Sequence, residues 1–315
     1  MSETIKGTIV KGIAGFYYVL PEAGGSVLEC KARGVFRKER ITPYVGDRVV
    51  CSHITDSAIV PGTGRGARHC AQEGAADEPA VIEEILDRRN VFIRPPVANV
   101  DCFVVVMAAA KPAPNLLVLD QFLVMAEQEQ TDIIICINKA DLAAEATVAG
   151  LREIYGALYP LYFVCGKTGE GVEALTRAVS GRQTALAGPS GVGKSTLLNR
   201  MLDGAHMETG AVSQKTNRGK HTTRHVELFP MAEGGMLFDT PGFTSFDVLT
   251  AKEDELFYFF PEMEAFAGHC RYDNCRHLSE PGCAVREALS RGEIHTSRYA
   301  SYREMLEMIR RKKQW

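Results

Sequence analysis

A stretch of eight residues in the second half of the chain has the residue types and spacing of a phosphate-binding loop. From Gly188 to Ser195 the sequence reads GPSGVGKS, which fits G-x-x-x-x-G-K-[ST]. Strand-like QTALA precedes this stretch and helix-like STLLNRML follows it, as such a loop requires. The alternative, a glycine-rich turn that only resembles the motif, does not account for both flanks. The pattern predicts that a nucleoside triphosphate is bound by Gly188, Pro189, Ser190, Gly191, Val192, Gly193, Lys194, Ser195 and Thr196.

Two side chains of this loop have predicted chemical roles. Glycines let backbone N–H groups turn toward phosphate oxygens, and the N-terminus of the following helix adds a favourable dipole. Lys194 is expected to reach the β- and γ-phosphates, and the Ser195 hydroxyl is expected to coordinate Mg²⁺. The loop alone does not say which base the nucleotide carries.

A candidate base reader lies fifty residues earlier, at the end of the apolar run DIIICI. It reads Asn138-Lys139-Ala140-Asp141. Asp141 can accept from the N1–H and N2–H₂ donors of guanine, whereas adenine would leave this acceptor unpaired. Asn138 can address the O6/N7 side, and the Lys139 stem can pack along the base. By itself the motif is also compatible with a polar turn in which Asp141 caps a helix.

Three further segments favour the guanine-binding interpretation. Asp239-Thr240-Pro241-Gly242 matches D-x-x-G, in which the aspartate holds Mg²⁺ through water and the glycine N–H contacts the γ-phosphate. Thr222 and Thr223 lie where a switch threonine would complete the Mg²⁺ shell, and the choice between them stays open. The segment Cys165-Gly166-Lys167 follows another short strand and can offer backbone N–H groups to guanine.

The order of these segments is unusual for a GTPase. The base reader and the loop at 165–167 precede the phosphate loop, and D-x-x-G comes last. A cyclic rotation of the chain restores the usual order, and circular permutation is tolerated where the original termini lie close together. The segment EGVEALTRAVSGRQTALAG then joins the usual last helix to the usual first strand. We therefore predict a circularly permuted GTPase domain.

A second kind of chemistry is indicated by a cluster near the C-terminus. The stretch GHCRYDNCRHLSEPGCAV has the spacing C-x₄-C-x-H-x₅-C. Three thiolates and one imidazole form a closed tetrahedral set suited to a structural Zn²⁺, with no position left for catalysis. The predicted ligands are Cys270, Cys275, His277 and Cys283. The other six cysteines are dispersed and typical of small core or loop residues.

Three segments of different character must position these residues. Residues 1–95 contain short β-like runs separated by turns, typical of a small all-β barrel. Residues 96–248 alternate apolar strands with helices, which predicts a doubly wound α/β domain. Residues 249–315 read as helices around the zinc cluster. A stretch rich in Gly, Ala and charge, VPGTGRGARHCAQEGAADEPA, is predicted to be a mobile loop of the barrel.

Composition and charge exclude few classes of protein, but they do not favour a membrane-spanning or secreted one. The 315 residues carry a net charge of −3, and no apolar run approaches the ~20 residues that span a bilayer. The N-terminus lacks a secretory pattern, so the nine cysteines suggest a reducing cytosol, where clustered cysteines more often bind metal. Local basic clusters are the candidates for RNA contact. They comprise Lys31, Arg33, Arg37, Lys38 and Arg40, then Arg65 and Arg68, and finally Arg310, Arg311, Lys312 and Lys313.

Taken together, NKAD before GPSGVGKST, then GKHTTR, DTPGF and the cysteine spacing resemble the ribosome small subunit-dependent GTPase A (RsgA) family over essentially the whole chain. The resemblance implies an N-terminal OB-fold and GTP hydrolysis stimulated by the small (30S) ribosomal subunit, with a role in late maturation of that subunit. It implies contact with rRNA. We expect a cytoplasmic monomer.

One position departs from the pattern of many GTPases. Phe243 follows the D-x-x-G glycine, where many signalling GTPases carry a glutamine that orients water. The resemblance points to His221 as the substitute, beside Lys194 and Thr223, while an exposed histidine without a catalytic role is the alternative. Phe243 also leaves open a second interpretation, a nucleotide-dependent RNA- or protein-binding scaffold with little hydrolysis. We further hypothesise that hydrolysis repositions the zinc-bearing tail.

Overall fold

The computed structural model describes residues 2–54, 80–93, 95–202, 226–239 and 251–312. The chain divides into two compact units, one of residues 1–99 with 223–228 and one of residues 100–222 with 229–315. Within the described ranges, no helix combines the length and the apolarity needed to cross a membrane. The predicted boundary at 95/96 stays a prediction. The boundary at 248/249 and most of the glycine-rich stretch at 60–80 lie outside the described residues.

The first unit contains a closed five-stranded barrel. Its elements are β1 (Ser2–Ile13), β2 (Phe16–Pro21), β3 (Leu28–Ala32), α1 (Gly34–Lys38), β4 (Arg48–Ile54) and β5 (Ala80–Ile85), followed by the hairpin β6 (Val91–Ile93) and β7 (Pro96–Ala98). The strand order is β1-β2-β3-β5-β4, with β3 parallel to β5. Seven pairs from Ser2↔Ile54 to Thr8↔Arg48 join β1 to β4 and close the barrel. This topology, with a short helix between β3 and β4, confirms the predicted OB-fold.

The second unit is built on a parallel sheet. Its elements in chain order are β8 (Cys102–Ala108), α2 (Leu116–Gln128), β9 (Asp132–Asn138), α3 (Glu145–Tyr155), β10 (Leu161–Phe163), α4 (Val172–Ala178), β11 (Gln183–Ala187), α5 (Lys194–Leu202), the second half of β12 (Glu227–Pro230) and β13 (Met236–Asp239). Within this unit the strand order is β10-β9-β8-β11-β13, and these neighbours are all parallel. Every residue of β8 is buried, because helices cover both faces of such a sheet. The predicted α/β domain is confirmed.

Three helices follow the sheet, and they share a buried core with helix α2. They are α6 (Pro261–Ala267), α7 (Ala284–Ser290) and α8 (Thr296–Lys312), preceded by a 3-10 turn at Leu256–Phe259. Val124 of α2 belongs to the same buried cluster as Leu256, Phe260, Tyr302 and Met305. The ring of Phe260 meets that of Tyr302 edge-on, with centroids 5.6 Å apart. The C-terminal helices therefore pack on the α/β sheet through α2.

Candidate functional site

The predicted nucleotide-binding segments all follow strands of the parallel sheet. Asn138 ends β9, the loop at 165–167 follows β10, Gly188 follows β11, and Asp239 ends β13. Because the strands are parallel, these segments lie at the same edge, where open α/β sheets bind ligands. The sheet order places the phosphate loop between β8 and β13.

Two glycines of the phosphate loop lie too close to neighbouring atoms to carry a side chain. Gly188 has φ +143°, and a Cβ there would collide with the carbonyl oxygen of Val106 in β8. Gly193 has φ +95°, and a Cβ there would lie 2.5 Å from Nδ2 of Asn138. Only glycine fits both positions, because it tolerates positive φ and has no side chain. The loop is thereby drawn tightly against the strand on one side and the base reader on the other.

Two lysine ammonium groups lie against the loop carbonyls. Nζ of Lys194 donates to the carbonyl oxygens of Gly188 and Pro189 at 2.6 and 2.8 Å. Burial lowers the pKa of Lys194 to about 8. Nζ of Lys139 donates to the carbonyl oxygen of Gly191 at 2.8 Å and to that of Lys111. Positive charge is thus concentrated at the loop, which suits a polyphosphate.

Asn138 connects the three loops of the site. It is 3% exposed, and its Nδ2 donates to the carbonyl of Val192 at 2.9 Å. Its Oδ1 accepts from the N–H of Gly166 at 2.9 Å and from that of Lys139 at 2.8 Å. One buried amide therefore ties the phosphate loop to both predicted base-binding loops.

The acidic residue of the base reader is exposed. Lys139 adopts the left-handed conformation at φ 59°, and Ala140 and Asp141 then enter a 3-10 turn spanning Ala140–Leu142. The side chain of Asp141 faces solvent, whereas Cys165 is 2% exposed. Asp141 is therefore accessible to a ligand beside the buried Asn138.

Several predicted residues lie outside the described part of the chain. His221, Thr222, Thr223, Gly242 and Phe243 are among them. Of the remaining candidates for Mg²⁺, Ser195 is exposed in the first turn of α5 and Asp239 is half-buried at the end of β13. The strands that lead to these two residues, β11 and β13, are neighbours in the sheet.

The predicted metal ligands form one cluster. One donor atom from each of Cys270, Cys275, His277 and Cys283 lies within 4.8 Å of the others. Nδ1 of His277 is 3.6 Å from Sγ of Cys270 and 3.5 Å from Sγ of Cys283, and these two sulfurs are 4.0 Å apart. A tetrahedral Zn²⁺ with Zn–S bonds of about 2.3 Å separates its ligands by roughly 3.5–3.8 Å. The four residues fit this ion.

The environment of the cluster also suits a bound cation. Burial raises the pKa of the Cys275 thiol to about 12, so a thiolate there needs a compensating positive charge. The loop itself is held by Glu280, whose carboxylate accepts from the N–H groups of Arg276, Leu278 and Ser279 at 2.8–3.0 Å. Tyr299 Oη donates to the carbonyl of His277 at 2.6 Å. The cluster is compatible with one zinc ion.

Sequence reasoning missed a buried ionic group between α2, α6 and α8. Arg298 of α8 is fully buried, and it donates to Oδ1 of Asp120 in α2 at 2.6 Å and to Glu262 of α6 at 2.6 Å. Tyr155 Oη donates to the same Asp120 oxygen at 2.8 Å. Asp120 is the one carboxylate in the largely apolar stretch LLVLDQFLVMA of α2, and it was the available signal.

The cysteines outside the cluster behave as predicted wherever the structure describes them. Cys30, Cys51, Cys102, Cys136 and Cys165 are buried with free thiols. Cys70 lies outside the described residues.

These features together define a class of protein. A parallel sheet carries a phosphate loop, and the base reader precedes that loop in the chain, so the fold is that of a circularly permuted GTPase. An N-terminal barrel and a C-terminal Cys/His cluster accompany it. The RsgA GTPase family matches residues 85–249, and the RsgA N-terminal domain matches residues 6–58. The chain belongs to the RsgA GTPase family, and it is an enzyme that hydrolyses GTP.

Relatives and solved structures agree over the full length. The chain is 41% identical to the small ribosomal subunit biogenesis GTPase RsgA of Agathobacter rectalis, covering 98% of this chain and 99% of that one. It is 43% identical to the protein of the same name from Alkaliphilus metalliredigens, again over 98% and 99%. The crystal structure of YjeQ from Thermotoga maritima matches with a TM-score of 0.80 and 33% identity over 98% and 99%. YloQ, described as a circularly permuted GTPase, matches with a TM-score of 0.77 and 32% identity over 98% and 96%.

Proposed function

We propose that this GTPase binds the small ribosomal subunit and hydrolyses GTP to GDP and phosphate during late maturation of that subunit, with the subunit stimulating hydrolysis. The observation that carries this proposal is the full-length likeness to relatives named small ribosomal subunit biogenesis GTPase, at 41% and 43% identity over 98% of the chain. A match over the whole length includes the barrel and the C-terminal helices, which are the parts that a general GTPase fold does not require.

In this proposal the nucleotide lies along the carboxyl edge of the parallel sheet. Asp141 accepts from the N1–H and N2–H₂ groups of guanine, and Asn138 addresses the O6/N7 side. The loop of Cys165, Gly166 and Lys167 offers backbone N–H groups to the base. The amides of the phosphate loop and the Lys194 ammonium bind the phosphates. The position of Lys194 against the phosphate loop supports its role, and the Asn138 amide also holds the adjoining loops together.

Magnesium and water complete the proposed site. Mg²⁺ would be held by Ser195 and Thr223 directly and by Asp239 through water, and it would neutralise charge that develops on the phosphates. His221 would orient the attacking water in place of the glutamine that Phe243 replaces. These assignments to Thr223 and His221 rest on the family resemblance of GKHTTR.

The barrel supplies the proposed rRNA contact. Lys31, Arg33, Lys38 and Arg40 are exposed on β3, α1 and the turn that follows. OB-type barrels bind oligonucleotides across a strand face and adjoining loops, and Lys31 lies 5.1 Å from the centroid of the Phe16 ring on the neighbouring strand. Exposed positive charge beside an aromatic ring is the combination used to bind single-stranded nucleic acid.

The proposal also includes the bound metal ion, the cellular location and the oligomeric state of the protein. One structural Zn²⁺ is held by Cys270, Cys275, His277 and Cys283, supported by the donor distances above. A ribosomal partner and free thiols outside the cluster are consistent with a cytoplasmic protein. We propose that it acts as a monomer.

Phosphate release tests the function directly. Hydrolysis of GTP and of ATP by the full-length chain is measured with and without purified small ribosomal subunits, and with large subunits as the matched control. We expect slow hydrolysis of GTP alone, strong stimulation by small subunits only, and no ATP hydrolysis.

The outcomes separate the parts of the proposal. Stimulation by neither subunit would remove the ribosomal part and favour the scaffold interpretation. Preference for ATP would contradict the base assignment as well. A His221→Ala variant that keeps full stimulated hydrolysis would remove the proposed role of His221 while leaving the rest in place.

A further inference from the structure

The carbonyl of Lys167, in the loop that follows β10, receives a hydrogen bond from the helix that follows the phosphate loop. Nη2 of Arg200 in α5 lies 2.7 Å from the carbonyl oxygen of Lys167. The same guanidinium covers Gly169, since a Cβ added there would lie 3.7 Å from both Cζ and Nε of Arg200. Arg200 therefore holds the far side of the loop through a charged donor and through packing.

The near side of the loop is held from the base reader. The N–H of Gly166 donates to Oδ1 of Asn138 at 2.9 Å. Within the loop, the N–H of Cys165 donates to the carbonyl of Glu170 at 2.9 Å, and that of Gly169 donates to the carbonyl of Cys165 at 2.8 Å. These bonds close a compact turn around Lys167.

The two anchors flank one peptide plane. Asn138 fixes the plane that ends at the N–H of Gly166, and Arg200 fixes the plane that begins at the carbonyl of Lys167. The intervening unit, which carries the N–H of Lys167, is therefore held on both sides by a hydrogen-bonded neighbour. Lys167 is exposed, and no backbone acceptor for its N–H occurs in the described part of the chain. That amide is thus a candidate donor to a ligand, in a unit anchored on both sides.

We propose that Arg200 is a positioning residue for guanine recognition, which it achieves by orienting the backbone N–H of Lys167 toward the O6 atom of the base. The inference rests on the proposed binding of guanine by this loop. Nucleotide specificity then depends partly on a side chain in the phosphate-side helix, outside every motif that marks the site in the sequence.

Binding of base analogues provides the test. The variant Arg200→Met keeps an unbranched apolar stem over Gly169 but removes the donor. Arg177→Met is the matched control, because Arg177 is also an exposed helix arginine, paired with Glu173 one turn earlier. Dissociation constants are measured by calorimetry for GDP, 6-thio-GDP and ADP, using the full-length wild type and both variants.

We expect Arg200→Met to weaken GDP binding roughly 3- to 10-fold, as loss of one exposed charged hydrogen bond implies. Binding of 6-thio-GDP should change less than about twofold, because its sulfur is a weak acceptor for the Lys167 N–H. The preference for GDP over 6-thio-GDP therefore falls in Arg200→Met and stays at the wild-type value in Arg177→Met.

Two results would overturn the inference. One is GDP binding by Arg200→Met within about twofold of wild type, and the other is an equal loss for GDP and 6-thio-GDP, which would indicate a general structural role. A wild-type chain that did not prefer GDP to ADP would instead contradict the proposed base site, and the inference with it. The ADP measurement distinguishes these failures.

Discussion

At the scale of single residues, the proposed choice of guanine depends on one exposed carboxylate. Asp141 follows Lys139, which has a left-handed backbone conformation, and Asp141 faces solvent. The nearby Asn138 is buried, and its side chain is hydrogen-bonded to both adjoining loops. We therefore expect Asn138 to organise these loops beside its proposed contact with the base, and Asp141 to read the two donors of guanine. Exchanging this acceptor for a donor should change which base is preferred.

The variant Asp141→Asn tests this assignment. An amide can donate to a carbonyl at C2, as in xanthine, but cannot accept from both donors of guanine. We expect GDP affinity to fall about 100-fold or more and affinity for xanthosine diphosphate to rise. Calorimetry with both nucleotides measures the change. Asp254→Asn, at another exposed aspartate, is the control, and a GDP affinity in Asp141→Asn close to that of the control would contradict the assignment.

The metal site is a second prediction at the residue scale. Cys275 is buried, and burial raises the pKa of its thiol to about 12, so a thiolate there is favoured by a bound cation. Purified wild-type protein should contain one zinc per chain by elemental analysis, and Cys275→Ser should contain much less and unfold at lower temperature. Cys30→Ala, which removes a buried cysteine of the barrel, should keep its zinc. Equal zinc content in Cys275→Ser and wild type would remove Cys275 from the ligand set.

The motifs were predictable at this scale because each is short and has fixed spacing. The phosphate loop, the base reader and the four metal ligands are each recognised within a few residues. The contacts that organise them were not, since they join distant parts of the chain. Asn138 meets Val192 across 54 residues and Gly166 across 28, and nothing in the local sequence indicates either bond.

At the scale of elements, strand and helix patterns predicted both units, while pairing between distant strands had to come from the structure. The continuous apolar runs of β8 and β9 indicated buried parallel strands, and the described elements agree. The parallel pairing of β3 with β5 and the closure of β1 on β4 depend on chain segments that local periodicity cannot relate. The same holds for the packing of α8 on α2.

The contact between α2, α6 and α8 contains a buried charge. Burial lowers the pKa of Arg298, but Asp120 and Glu262 raise it by more, so the guanidinium stays charged. The guanidinium also lies 4.6 Å from the centroid of the Phe260 ring. Arg298 stands in SRYASYREM, a polar stretch typical of an exposed helix face, and its partner Asp120 is 178 residues away. This explains why its burial was not predicted.

Removing this arginine should be strongly destabilising. Arg298→Met keeps much of the volume but leaves Asp120 and Glu262 buried without a counter-charge, for which we expect a loss of about 3–5 kcal/mol in free energy of unfolding. Arg291→Ala, which breaks an exposed pair with Glu293, should cost less than about 1 kcal/mol. Urea unfolding of the zinc-loaded chain measures both. Similar losses in the two variants would show that the buried group does not hold these helices together.

At the scale of the whole molecule, the permuted order has a structural consequence. D-x-x-G is the last nucleotide-binding segment, so the chain leads from it directly into the C-terminal helices. Those helices also share buried residues with α2, which lies between β8 and β9 of the sheet. The predicted nucleotide edge and the helices around the Cys/His cluster thus belong to one compact unit, whereas the barrel is a unit of its own.

If the predicted nucleotide edge and the C-terminal helices unfold as one cooperative unit, nucleotide binding should stabilise those helices. A ligand that binds only the folded state at 100 times its dissociation constant stabilises that state by about 2.7 kcal/mol, which is roughly a 100-fold change in the unfolding equilibrium. Hydrogen exchange by unfolding should therefore slow in α8 (Thr296–Lys312) by about the same factor as in β8 when GDP is added. The barrel strands β1–β5 are the internal control and should exchange unchanged.

The same experiment decides how the C-terminal helices respond to the nucleotide. If GDP slows β8 but leaves α8 unaffected, the helices fold separately and the cooperative interpretation is wrong. Comparing GDP with a non-hydrolysable GTP analogue then tests the hypothesis that hydrolysis repositions the tail. Because Arg298 anchors α8 to α2, we expect any such change to be larger in Arg298→Met than in wild type. Identical exchange over residues 251–312 with both nucleotides, in both proteins, would exclude a tail movement driven by hydrolysis.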